Sequence, residues 1–225
     1  MNANMVLAET GLEKIPDEFI NDARTARSCA SIGRDKRECL LDRSLHHWML
    51  KGLVDGEKRG RPDIAYHVLL DVTDSLLYKN GHLNLFIHTY DNNVIKIGSE
   101  LRPPRSYFRF EGLMIDLFRR RRIEAGGRTL MEISKMGLDE LLKKIGKPAI
   151  GLSSSGKPVK IEALAGRIAL TGSTFVIGGF PKGEFSDQAI KAFNEIISIN
   201  QKGLEATNVA TRLIYEMEKV EGMWN

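Results

Sequence analysis

Thr174-Phe175-Val176-Ile177-Gly178-Gly179-Phe180-Pro181-Lys182-Gly183 decides the fold. Four residues rich in apolar and β-branched side chains, closed by glycines, read as a buried strand that ends in a loop. A strand buried on both faces belongs to a parallel sheet. The loop beyond the carboxyl end of such a strand is where open α/β sheets bind ligands, and glycine lets the backbone approach a ligand or adopt positive φ. The spacing matches neither the dinucleotide fingerprint nor the phosphate loop of nucleotide-dependent enzymes. Two readings stay open, a ligand loop and an ordinary turn.

Working outward, Met5-Val6-Leu7-Ala8 reads as a second buried strand. Pro16 predicts a helix over 16–27, Cys39-Leu40-Leu41 a short strand, and 45–53 another helix. The polar, glycine-containing stretch 55–61 is a loop. Pro62 suits the first turn of a helix, which the apolar stripe Ile64, Val68, Leu69, Val72 and Leu76 carries over 62–75. Segments 83–88 and 94–97 read as strands joined by Asp91-Asn92-Asn93. Beyond the extended loop Arg102-Pro103-Pro104-Arg105 comes a helix with Phe110, Leu113, Met114, Leu117 and Phe118 on one face. Segment 119–135 reads as a basic linker, 138–145 as a short helix, and Ser153-Ser154-Ser155-Gly156 as a turn after 149–152. Ala206, Val209, Ala210, Leu213, Ile214 and Met217 mark the last helix. Strands alternating with helices argue for an α/β domain with a mainly parallel sheet.

The chain has 225 residues and a formal net charge of +4, enough length to bury a sizeable core. With 42% hydrophobic and 28% charged residues, it is neither disordered nor membrane-spanning. The first ten residues lack the pattern of a secretory signal, so a cytoplasmic protein is expected. The two cysteines, Cys29 and Cys39, fit no zinc or redox spacing, so reduced thiols and no metal are expected. The charge is unevenly spread. Segment 102–122 holds seven arginines against Glu111 and Asp116, a net of +5, and the remaining chain sums to −1. A localised arginine cluster beside Tyr107, Phe108 and Phe110 suits a nucleic acid. Phe110 equally suits core packing, and Arg119 to Arg122 suit a helix carboxyl terminus.

Asp63, His67, Asp71 and Asp74 fall on one stripe of the 62–75 helix, with Arg61 just before it. Such a stripe is either a solvated face or a set of carboxylates placed for proton abstraction or for orienting an arginine.

Arg61-Pro62-Asp63-Ile64, Asp74-Ser75, Ile87-His88-Thr89, Arg102-Pro103-Pro104-Arg105, Arg109-Phe110-Glu111-Gly112-Leu113-Met114, Ile177 to Gly183, Ile197-Ser198-Ile199 and Leu204-Glu205-Ala206 together resemble the small-subunit ribosomal RNA pseudouridine methyltransferases. This is the EMG family of the SPOUT class, and the likeness is to its archaeal type. The resemblance implies a SPOUT-type trefoil-knotted (α/β knot) fold, a single domain over 1–225 with family-specific insertions, and a homodimer. It implies methylation of ring nitrogen 1 of a pseudouridine in small-subunit ribosomal RNA, with S-adenosyl-L-methionine as donor and S-adenosylhomocysteine as product. Cofactor binding would fall on Leu152, on Ile177, Gly178, Gly179 and Gly183, and on Ile199, Asn200, Gln201, Lys202, Gly203 and Leu204. RNA binding would fall on Arg61, Arg102, Arg105 and Arg109. Placed in that reaction, Asp74 or Asp63 would orient or remove the acceptor's proton, and Arg61 would stabilise the developing charge. Lys182, Gly203 and Thr207 stand where the family often has histidine, proline and tryptophan, and Leu76 stands where it has proline. A non-catalytic RNA-binding assembly factor for the small ribosomal subunit is the competing reading of the same arginines.

Overall fold

The computed structural model describes residues 2–224. The strands are β1 (Ala3–Thr10), β2 (Leu83–Thr89), β3 (Asn93–Ile97), β4 (Arg122–Ala125), β5 (Arg128–Lys135), β6 (Ala149–Pro158), β7 (Thr174–Gly178) and β8 (Glu195–Ser198). The helices are α1 (Ala23–Ser31), α2 (Arg43–Leu50), α3 (Pro62–Asp74), α4 (Leu76–Lys79), α5 (Tyr107–Arg120), α6 (Leu138–Ile145), α7 (Ile161–Thr171), α8 (Asp187–Ala192) and α9 (Ala206–Val220).

One sheet runs in the order β4-β5-β3-β2-β1-β7-β6-β8. From β2 to β8 every neighbour is parallel; from β4 to β2 every neighbour is antiparallel. The central strand β1 is buried along its whole length, and its alternation distributes the core. Ala3, Met5 and Leu7 join Phe175 and Ile177 in the larger cluster, under α3, α5, α7 and α9. Val6 and Ala8 join Val176 on the opposite face, under α6 and α8. The period-2 side-chain pattern thus feeds two helical layers from one apolar run. A third, smaller cluster of Ile15, Cys29, Cys39, Leu41, Met49 and Leu50 holds α1 and α2 together.

Several expectations need correcting. Pro16 only precedes a 3-10 turn at Asp17–Phe19; the helix begins at Ala23, where the Asp22 carboxylate accepts the Arg24 N–H and supplies the cap that Pro16 cannot. Cys39 to Leu41 is not a strand but a single bridge between Leu40 and Lys14. Segment 119–135 is not a linker. Arg121, at φ +65°, ends α5, and β4 and β5 then form a hairpin. Its two-residue loop is Gly126-Gly127, at φ +57° and +75°, as a type I′ turn demands. The turn at 153–156 is an excursion inside β6, since Leu152 and Lys157 both pair with Ile197. Helices α7 and α8 and strand β8 lie outside the sequence-based expectations.

Candidate functional site

The carboxyl ends of β6, β7 and β8 and the amino ends of α3 and α9 surround a cavity of about 520 Å³. That volume suits a cofactor-sized ligand. Three chain segments contribute to its lining: Ser153 and Ser154 of the excursion in β6, most of the loop from Gly178 to Phe185, and both ends of the segment from Ile199 to Leu204. Leu152, Ile177, Ile197, Ile199 and Leu204 give it apolar walls, while Asp63, Glu184 and Glu205 bring carboxylates to it. Apolar walls for a flat ring, with carboxylates for a cationic group, form a donor set that fits a sulfonium nucleoside.

Two glycines are required by geometry. A Cβ on Gly178 would lie 2.7 Å from the Phe180 ring, and Gly183 sits at φ +91°. Gly179 has another task. Its N–H donates to the Ala8 carbonyl (2.7 Å), and a Cβ there would lie 2.3 Å from the Thr10 hydroxyl, so it packs the loop onto β1 instead of lining the cavity.

Arg61 enters from the amino end of α3. Its Nε and Nη2 donate to the two oxygens of Asp63 (2.8 and 2.7 Å). Asp63 lies in the first turn, where a carboxylate complements the helix dipole. The loop before Arg61 is tied down: Arg59 donates to both oxygens of the buried Glu13 (2.9 and 2.6 Å), and the Arg61 N–H donates to the Gly11 carbonyl (3.0 Å).

Across residues 5–218 the chain matches the family described as EMG1/NEP1 methyltransferase. The chain belongs to the EMG1/NEP1 methyltransferase family. It is 36% identical over 220 residues to the ribosomal RNA small subunit methyltransferase Nep1 of Pyrobaculum islandicum, covering 97% of this chain and 99% of that one. The Nep1 of Saccharolobus solfataricus is 33% identical, covering 99% of each chain. The crystal structure of Archaeoglobus fulgidus Nep1 bound to S-adenosylhomocysteine superposes with a TM-score of 0.86 at 31% identity. It covers 99% of this chain and 100% of that one. The mixed, mostly parallel sheet is thus that of the knotted SPOUT class.

Of the cofactor residues expected for this EMG1/NEP1 methyltransferase, Leu152, Ile177, Gly178, Gly183, Ile199, Asn200, Gly203 and Leu204 line the cavity. Gly179, Gln201 and Lys202 do not. Of the two carboxylates offered as alternatives, Asp63 and Asp74, only Asp63 stands with Arg61. Asp63 and Asp74 share a stripe but stand eleven residues apart, roughly 16 Å along the helix. Asp74 is exposed and pairs with Lys79 (2.6 Å). That hydrogen bond, aided by Arg105 and Arg102, holds its carboxyl below the usual range. Asp74 therefore belongs electrostatically with the basic loop. His67, Glu184 and Glu205 line the cavity without having been singled out for a role there. His67 carried a signal in its spacing of four from Asp63, and Glu205 stood in the Leu204-Glu205-Ala206 motif of the resemblance; Glu184 carried none.

Arg102, Arg105 and Arg109 are exposed and lie outside the cavity. The Tyr66 hydroxyl of α3 donates to the Arg105 carbonyl, fixing this loop to the helix that carries Arg61. Arg102 donates to the Leu101 carbonyl, and none of the three makes a salt bridge among the described residues. Arg119, Arg120 and Arg122 instead pair with Asp116, Glu38, Glu124 and Glu132.

The thiols of Cys29 and Cys39 and a ring nitrogen of His46 come within 4.8 Å of one another, all buried, a proximity that the sequence spacing hid. The His46 Nδ1 accepts the Asp42 N–H (3.1 Å), which puts the neutral ring's proton on Nε2. A metal-ligating histidine does the reverse, donating its outer N–H to an acceptor. The arrangement reads as a buried thiol pair packed beside a neutral imidazole.

Proposed function

We propose that this EMG1/NEP1-family methyltransferase transfers a methyl group from S-adenosylmethionine to ring nitrogen 1 of a pseudouridine in small-subunit ribosomal RNA. The observation that carries the reading is the coincidence of the glycine-edged cavity with the Arg61–Asp63 pair at its rim. A scaffold that only bound RNA would have no use for such a cavity. Leu152, Ile177, Gly178, Gly183, Ile199, Asn200, Gly203 and Leu204 would hold the cofactor, which supplies a methyl group already activated by positive sulfur. S-adenosylhomocysteine is then the product, and the chemistry calls for no metal.

The acceptor nitrogen carries a proton that must leave as the bond to carbon forms. The enzyme's tasks are therefore positioning and charge management. Asp63 fixes the Arg61 guanidinium through two bonds. The Arg61 Nη1 makes no hydrogen bond among the described residues, so it is left to face the pyrimidine oxygens, where negative charge grows as the proton departs. Asp63, at the same rim, is the carboxylate placed to receive that proton. Arg102, Arg105 and Arg109 would grip the RNA backbone beside Arg61.

No helix of the described residues is long and apolar enough to cross a membrane, and the reading places the enzyme in the cytoplasm, where ribosomes are assembled. Exposed Leu170 on α7 and Tyr215 and Val220 on α9 support a homodimer, which light scattering would test. The decisive experiment is mass spectrometry of a ribosomal hairpin after incubation with protein and methyl donor. A gain of one methyl group on pseudouridine, absent from the uridine hairpin, is expected. No gain on either hairpin would overturn the proposal.

A further inference from the structure

At the exit of β1, Glu9 adopts φ +51°, a left-handed conformation that a side-chain-bearing residue takes only when its surroundings enforce it. Its N–H donates to Nδ1 of His88 on β2 (3.3 Å). Its carboxylate is buried, the residue being 8% exposed, and accepts from two groups. Lys58 donates an ammonium N–H to Oε2 (3.2 Å), and the Ser186 backbone N–H reaches both oxygens (3.1 and 3.2 Å).

These two donors come from the two loops that flank the cavity, without lining it themselves. Ser186 closes the Gly178–Phe185 loop and caps α8, its hydroxyl accepting the Ala189 N–H (3.2 Å). Lys58 sits in the loop that delivers Arg61. Its ammonium lies over the Phe180 ring, 4.8 Å from the centroid, and its Cε would stand 3.4 Å from a Cβ on Gly183. Phe180 and Gly183 line the cavity, whereas Glu9 and Lys58 do not.

We infer that Glu9 is a positioning residue for cofactor binding, clasping the Gly178–Phe185 loop to the Arg61 loop through Lys58. A buried carboxylate is costly unless paired and hydrogen-bonded, so its two donors, the Lys58 ammonium and the Ser186 N–H, must stay in place together. That requirement sets the spacing of two loops that no strand pairing connects. The inference rests on the reading of this cavity as the S-adenosylmethionine site.

The test measures S-adenosylhomocysteine affinity by calorimetry in the full-length protein, with methylation kinetics and ligand-free thermal unfolding beside it. Glu9→Gln keeps the side chain's length and removes its charge. Lys58→Met keeps the stem over Gly183 and Phe180 and removes the ammonium. The double variant buries no unpaired charge and so safeguards folding. Each single variant is expected to weaken binding about tenfold, raising KM for the donor while kcat stays within about twofold, and the double variant should bind no worse than the singles. Lys58→Arg should restore much of the loss. If the wild type binds and the folded double variant binds equally well, the clasp is structural only and the inference is overturned. If the wild type itself fails to bind, the cofactor reading falls and takes the inference with it.

Discussion

Arg61 holds Asp63 in a two-point grip, Nε to Oδ1 at 2.8 Å and Nη2 to Oδ2 at 2.7 Å, across the first turn of α3. A planar fork meeting a planar carboxylate fixes direction as well as distance. The side chain that the sequence offered as an alternative, Asp74, is turned to Lys79 at the other end of the same helix.

This arrangement separates the two carboxylates experimentally. Asp63→Asn replaces one acceptor oxygen by a donor and breaks the fork, so single-turnover methylation of a pseudouridine hairpin should fall about 100-fold. Asp74→Asn should keep the rate within about threefold, since it touches only the exposed Lys79 pair. Equal losses in both variants would show that Asp74 also acts on the reacting base.

The glycine loop makes a second expectation measurable. At φ +91° Gly183 occupies backbone space that an L side chain strains to enter. Gly183→Ala should weaken S-adenosylhomocysteine binding about tenfold by calorimetry while the protein stays folded. Unchanged affinity would place the cofactor away from this loop.

The β1 and β7 strands were legible as short apolar runs buried on both faces, and helices α3, α5 and α9 because burial on one face leaves a period in the sequence. The hairpin of β4 and β5 was not, because its buried positions, Met131 and Ile133, are few, and the exposed Arg122, Glu124, Arg128 and Glu132 around them make the segment read as a basic linker. Its traces were the Gly126-Gly127 pair and the short alternation of Met131 and Ile133 with Glu132 and Ser134. Within the site, the glycines were legible and the Glu9 clasp was not. Its partners Lys58 and Ser186 lie 49 and 177 residues away, and no local pattern records a contact that only folding creates. The Asp63/Asp74 stripe misled for a simpler reason, since sharing a helix face does not mean sharing a place along the helix.

For RNA, the arginines divide by whether they have acidic partners. Arg105 makes no salt bridge among the described residues, so a phosphate can take its guanidinium without displacing anything. Arg122 already bridges Glu124 and Glu132. Arg105→Ala should lower hairpin affinity and make the slope of log K against log salt shallower by about one. Arg122→Ala should leave the slope close to wild type. A titration series at several salt concentrations reads both, and an unchanged slope for Arg105→Ala would remove it from the phosphate contacts.

The buried histidines predict how stability responds to acid. Burial pushes the pKa of both His46 and His88 below the usual 6.5. Below about pH 6.5 the unfolded chain protonates these rings while the folded chain does not, so the unfolded state binds more protons and stability falls as pH falls. The loss continues until the buried rings themselves protonate. Glu13 and Glu111 are pushed the other way by burial; folded, they keep their protons above the usual 4.5, so their contribution falls as pH rises from there. The two effects overlap, and a single curve cannot separate them. His46→Asn separates them, because Oδ1 can take the place of Nδ1 as acceptor for the Asp42 N–H but cannot titrate. Unfolding by urea at several pH values between 5 and 7.5 should show the wild type losing up to about 1.4 kcal/mol per pH unit more than His46→Asn below pH 6.5. Parallel curves would mean that the folded protein accommodates a charged ring at this position.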